Sequence, residues 1–353
     1  MTSSLTRLTR RSLLAATFTA TVFAASACGG SSSASSEAGE GGLTEVTVAL
    51  SWTPNTDYTG VFAADELGYY EDQGIKLKVI PYSSTAPETL VAHGQADFGF
   101  SYQAGVTYAR AAGQDVVAVY APNRKGTYAI SVSADRDDIQ SPKDLDGKTY
   151  AGFGSPDEGP LLKYVIQHDG GKGDFKSIAL DTSAYQAVYS KKADFTIPVV
   201  TWEGVEAERS GKPLKNFAPT DYGFPDQYSV LLASGQKYLD ANPEVTKKFL
   251  AATAKGYSYA ADEPDKAADL LVQANKAQLS DAELVRASQN LLASEGYLNT
   301  EAGHVGVQDE EFWKNYGSFL YENGRLTDSD GKALTAEPDW TTYYSNDYLA
   351  SGN

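Results

Sequence analysis

Beyond Leu43, short apolar runs alternate with longer stretches of helical periodicity. Residues 46–50, 77–81, 97–100 and 116–120 predict strands, and 59–67, 87–93 and 102–112 predict helices. Each of these helices is followed by Gly68, Gly94 or Gly113, placed to take the left-handed conformation that closes a helix. Strand–helix alternation of this kind predicts crossover units on a largely parallel sheet, so the first lobe reads as α/β. A second series has strands at 128–132, 149–153, 175–180 and 195–200 and helices at 156–168, 184–190 and 202–209, which predicts a smaller α/β lobe. Residues 228–233 read as a strand again. After them come four helical patterns, 243–261, 264–275, 281–294 and 309–322, with almost no strand signal between them. A helical tail of that length is expected to pack on the first lobe.

Composition agrees with two lobes. A chain of 353 residues exceeds one compact domain, and 42% hydrophobic with 11% aromatic residues is enough to bury a core. The expected boundaries are 44–127 with 229–353 for lobe one and 128–228 for lobe two. The net charge is −17, although Arg7, Arg10 and Arg11 face no acid in the first 27 residues, so the body is more acidic still. Such a body repels phosphate backbones, and no nucleic-acid partner is expected. Those three arginines precede an acid-free apolar run, 13–27, that is too short to span a bilayer and ends in Ala25-Ser26-Ala27-Cys28. Residues 1–27 therefore read as a signal peptide. Small residues ahead of the only cysteine resemble a bacterial lipobox, so Cys28 is expected to carry a lipid anchor. The Gly/Ser-rich residues 28–43 would be the tether, with the protein held on the extracytoplasmic face of the cell membrane. Thr9-Arg10-Arg11-Ser12-Leu13-Leu14 also resembles a twin-arginine signal, which leaves two export routes open.

Several motifs fail on inspection. Gly147-Lys148-Thr149 ends like a phosphate-binding loop, but Pro142 stands where the first glycine is required. Asp328, Asp330, Gly331 and Glu337 fit part of a calcium loop whose first ligand position is Leu326. His93, His168 and His304 lack zinc-ligand spacing. No metal, cofactor or catalytic set is expected. What remains is chemistry at strand ends, where open α/β sheets bind ligands. Trp52, Asn55 and Tyr58 follow the first strand; Tyr102 and Gln103 follow the third; Ser155 and Glu158 follow the first strand of lobe two. Tyr185, Trp202 and Glu203 start helices of lobe two, and Tyr222 lies in the hinge candidate 221–226.

At Trp52-Thr53-Pro54-Asn55-Thr56, Gly152-Phe153-Gly154-Ser155-Pro156-Asp157-Glu158 and Trp202-Glu203-Gly204, the chain resembles a family. It is the substrate-binding lipoproteins of bacterial ABC importers, in the group that includes thiamine-pyrimidine-precursor binders and the fungal thiamine-pyrimidine synthases. The resemblance runs from about residue 44 to about residue 320. It implies a type II periplasmic-binding-protein clamshell, with ligand held between two lobes joined by crossing segments near 120–129 and 221–229. It also implies an importer permease as partner. The fungal enzymes consume a histidine where this chain has Tyr58 and carry a cysteine-rich iron motif absent here, so a binder is expected rather than an enzyme. The expected ligand is a small aminopyrimidine, stacked on Trp52, Tyr58 and Tyr102, with Glu203 accepting from its amine; the expected assembly is a monomer. Riboflavin or another aromatic heterocycle is the alternative. A sulfonate is disfavoured because the signature segments contain no Lys or Arg.

Overall fold

The computed structural model describes residues 42–180 and 183–350. The signal-peptide assignment and the Cys28 anchor lie outside the described residues. Alternating apolar residues form β1 (Thr44–Ala49), with Val46 and Val48 fully buried, and β2 (Ile75–Ile80) pairs with it in parallel through six residues. Helix α1 (Thr59–Glu66) connects them. Helix α2 (Pro87–Ala92) leads into β3 (Phe98–Ser101), and α3 (Gln103–Ala111) into β4 (Val117–Tyr120). Both strands are buried along their whole length, which is why they read as unbroken apolar runs.

The chain then crosses to a second sheet. Its elements are β5 (Ile130–Ser133), β6 (Thr149–Gly152), α4 (Glu158–His168), β7 (Lys176–Ala179), α5 (Ala184–Tyr189), β8 (Phe195–Thr196), α6 (Glu203–Arg209) and β9 (Leu214–Phe217). The chain returns to the first sheet as β10 (Leu231–Ser234). Helices α7 (Gln236–Ala241), α8 (Pro243–Asp262), α9 (Pro264–Ala274), α10 (Ala282–Ser294) and α11 (Glu310–Glu322) follow. The strand orders are β2-β1-β3-β10-β4 and β7-β6-β8-β5-β9.

This is the α/β clamshell the resemblance implies, with the helical tail on the first sheet. In each sheet four of the five strands run the same way, as the alternation predicts, and one reversed strand makes the sheet mixed. Strand β10 runs antiparallel to β3 and β4, and β5 runs antiparallel to β8 and β9. Each reversed strand is the first after a crossing, so the chain comes into that sheet from its opposite end. Strand β9 and helix α7 were not predicted; β9 buries only Phe217 and so carries no apolar run.

Helices α1, α8, α9 and α10 bury the Val46, Phe98 and Phe100 face of the first sheet. Trp313 and Tyr316 of α11 join a second cluster that continues through Ile130 and Tyr150 of the other sheet. Helices α1 and α8 meet backbone to backbone: a Cβ on Gly256 would lie 1.9 Å from the Gly60 carbonyl oxygen. Tyr257, the next residue, donates its hydroxyl to the Asp57 carbonyl at 2.6 Å. That packing fixes the loop after β1. Among the described residues, no helix is long and apolar enough to cross a membrane.

Candidate functional site

The segments leaving β1, β3, β6 and β8, together with the two crossing segments, enclose a cavity of about 320 Å³. Its wall carries six aromatic residues (Trp52, Tyr58, Tyr102, Tyr128, Phe153 and Tyr185) and four acids (Asp57, Asp157, Glu158 and Glu203). Among the described residues, no Lys, Arg or His lines it. The two sheets contribute jointly. Trp52 meets the edge of Phe153 at 5.0 Å, Phe153 meets Tyr185 at 5.4 Å, and the Tyr102 hydroxyl donates to Asp157 Oδ1 at 3.3 Å.

Each polar group in this wall is held by its local fold. Asn55 is buried and caps the short turn before α1, its Oδ1 accepting from the Asp57 N–H at 2.8 Å. Tyr58 is shut in against the edge of Phe100, its hydroxyl 3.1 Å from Ser51 Oγ, and burial pushes its phenol up. Glu158 accepts from the Phe153 N–H, the Gly154 N–H and the Ser155 hydroxyl at 2.9, 3.1 and 3.1 Å. It lines the cavity, but its hydrogen-bonding work is to shape the 153–155 loop. Glu203 is 4% exposed at the start of α6, with Oε2 accepting from the Val199 N–H at 3.0 Å.

The electrostatics follow from burial without counter-charge. Desolvation pushes the Glu203 carboxyl up to about 8, with the Asp57 charge adding to the effect. Desolvation alone pushes Asp57 up to about 7, and Asp157 rises to about 6 by desolvation with the neighbouring Glu158 charge adding. A wall of this kind accepts hydrogen bonds and favours positive charge.

Of the residues expected at the cleft, the structure brings together Trp52, Asn55, Tyr58, Tyr102, Ser155, Glu158, Tyr185 and Glu203. Three others lie elsewhere. Gln103 is fully buried beneath the cavity: its Oε1 accepts from the Tyr228 N–H at 3.0 Å and its Nε2 donates to the Phe312 carbonyl at 3.2 Å. It ties a crossing segment to α11. Trp202 precedes Glu203 but faces an outer groove with Thr53, Pro54 and Asp281, because neighbouring residues at a helix start point about 100° apart. Tyr222 sits in a short turn, Pro219–Tyr222, where its phenol is raised by burial and by the Asp169 and Asp221 charges, away from the cavity wall. Sequence reasoning missed Asp57, Tyr128, Phe153, Asp157 and Gln227. Phe153 and Asp157 stand inside a segment already singled out at a strand end, and Tyr128 and Gln227 sit on the crossings.

The family model described as NMT1/THI5 like matches residues 55–267, more than half of the chain. The formylaminopyrimidine-binding protein of Halalkalibacterium halodurans is 29% identical over 287 residues, covering 79% of this chain and 85% of that protein. The 4-amino-5-hydroxymethyl-2-methylpyrimidine phosphate synthase THI11 of Saccharomyces cerevisiae is 25% identical over 87% of this chain and 88% of its own. Among solved structures, the periplasmic aliphatic sulphonate-binding protein SsuA of Escherichia coli superposes with a TM-score of 0.62 at 16% identity, over 86% of this chain and 98% of that one. That last likeness is one of fold.

Proposed function

We propose that this chain, which belongs to the NMT1/THI5-like family, is an extracytoplasmic solute receptor that captures a small aminopyrimidine between its lobes and delivers it to an importer. The observation that carries this reading is the cavity wall, in which six aromatic residues and four carboxyls come, among the described residues, without one basic side chain. Aromatic walls hold a planar ring by stacking, at ~0.5–1.5 kcal/mol per pair beyond area burial. Buried carboxyls need donors, which the amine of an aminopyrimidine supplies, and a charge-assisted bond is about twice as strong as a neutral one. A sulfonate or phosphate would find no basic side chain among the described residues of the wall. At about 320 Å³ the cavity lies near the lower end of the ~300–1,000 Å³ range of small-molecule sites, which favours one substituted ring over a three-ring flavin. Binding rather than synthesis is supported by Tyr58, which stands in the wall where the synthases that the chain resembles consume a histidine.

Native mass spectrometry of the chain incubated with equal amounts of an aminopyrimidine, riboflavin and an alkanesulfonate tests the ligand class. A one-to-one aminopyrimidine adduct is expected to dominate, and dominance of either other adduct overturns the reading. Membrane attachment is the remaining part of the proposal. Replacing Cys28 with Ser is expected to release folded, ligand-competent protein from the membrane fraction; a mutant that stays in that fraction has some other anchor.

A further inference from the structure

Asp57 stands apart from the other acids of the cavity. Glu158 has three donors, Asp157 has the Tyr102 hydroxyl, and Glu203 has the Val199 N–H. Asp57 Oδ1 is the one carboxylate oxygen among the described residues that is closed off from solvent with no hydrogen-bond partner. The backbone that carries it is held on both sides. Its N–H is fixed to Asn55 Oδ1 at 2.8 Å and its carbonyl to the Tyr257 hydroxyl at 2.6 Å. A second acceptor on the same wall is also unsatisfied: Gln227, 4% exposed on the crossing segment, has an Oε1 without a donor. An unpaired buried acceptor is costly, and leaving two on one cavity wall points to donors that arrive with the ligand. Since no Lys, Arg or His among the described residues lines the cavity, the counter-charge for Asp57 is expected to arrive the same way.

We propose that Asp57 is a specificity-determining residue of this cavity: it holds a second, positively charged amine of the ligand, so the molecule captured is an aminopyrimidine bearing a protonated aminomethyl arm. This rests on the aminopyrimidine reading and narrows it. Glu203, from the second lobe, takes the ring amine, while Asp57, from the first, takes the ammonium, so the ligand spans the lobes by its two ends. An uncharged arm, such as a hydroxymethyl or a formylated amine, offers Asp57 a hydrogen bond but no charge. The upward shift of the Asp57 carboxyl to about 7 has the same origin, burial without a partner, and an ammonium beside it removes the cause.

Calorimetric titration of the full chain at neutral pH, with 4-amino-5-aminomethyl-2-methylpyrimidine and with its 5-hydroxymethyl analogue, tests this. Wild type is expected to bind the aminomethyl compound ~10-fold or more tightly than the hydroxymethyl one, the gain from a charge-assisted over a neutral bond. In Asp57→Asn, the preference should fall to within about threefold, because the carboxamide offers either arm only a neutral hydrogen bond. A thermal melt checks that the variant is folded, and the wild-type preference needs no variant at all. Equal binding of both compounds by wild type, or a preference that survives in Asp57→Asn, overturns the role of Asp57 and leaves the aminopyrimidine reading standing. Failure of both compounds to bind overturns the aminopyrimidine reading, and this inference with it.

Discussion

Glu203 shows how one residue serves binding and stability in opposite senses. Its carboxyl titrates near 8 in the folded protein and near the ordinary 4.5 when unfolded. Between those values the folded state holds a proton that the unfolded state has released, so the ligand-free protein loses stability as pH rises from about 4.5 to about 8. The slope is at most about 1.4 kcal/mol per pH unit for one group, and Asp57 works in the same direction between its ordinary 3.8 and about 7. Glu203→Gln removes the titration. We expect its thermal melts to show a flatter pH dependence and a higher midpoint than wild type above pH 8. In the variant, the amide oxygen keeps the Val199 N–H and the NH₂ turns toward the ligand's own amine. Affinity should fall by about 2–4 kcal/mol, or ~30–1,000-fold by calorimetry, because a donor then faces a donor. Binding within a few-fold of wild type would reduce Glu203 to a helix-start acid. At this scale the sequence was legible where a polar or aromatic residue stands just past a strand or at a helix start, as at Trp52, Ser155 and Glu203. It misled at Gln103 and Trp202, where a shift of one residue at a helix start changes cavity wall into core or outer groove. Asp57 carried no signal, because an unpaired buried oxygen is a property of its surroundings.

The elements that place these residues depend on close backbone packing. A methyl group at position 256 would lie 1.9 Å from the Gly60 carbonyl oxygen and 2.8 Å from the Ala64 Cβ, so Gly256→Ala must push α1 and α8 apart. Overpacking of this kind costs about 1–3 kcal/mol. Because Tyr257 holds the Asp57 carbonyl, the shift should also loosen the Asn55–Tyr58 loop. We expect a lowered melting midpoint together with weaker ligand binding; a variant that melts and binds like wild type would show that the two helices can separate without disturbing the site. Most helices and strands were legible from periodicity and closing glycines. The reversed strands β5 and β10 were not, since strand direction depends on which end of a sheet the chain reaches after a crossing. Strand β9 was hidden by its half-exposed sequence, Leu214-Lys215-Asn216-Phe217.

For the whole molecule, the two crossing segments are tied to each other. The Gly126 N–H donates to Asp226 Oδ1 at 2.9 Å, and the Thr127 N–H donates to Ser229 Oγ at 2.8 Å. Bending there would move one sheet against the other as a unit, in the manner of hinged closure. The tail also reaches across: Ser288 of α10 donates to the Thr201 carbonyl, and Arg209 pairs with Asp281 at 3.4 Å. The Arg209–Asp281 pair is exposed and contributes at most about 1 kcal/mol, whereas the Ser288–Thr201 bond is buried. Contacts that join the lobes at the cavity, Trp52 with Phe153 and Tyr102 with Asp157, lie in its wall and should tighten when a ring fills it. The resemblance made two lobes and a cleft legible from three short segments, whereas the acid-rich, base-free wall emerged only when both lobes and both crossings were in place. Small-angle X-ray scattering during titration with an aminomethyl-substituted aminopyrimidine tests capture between the lobes most directly. The account predicts a radius of gyration that shrinks and levels off at one ligand per chain. Unchanged scattering at saturating ligand would contradict it.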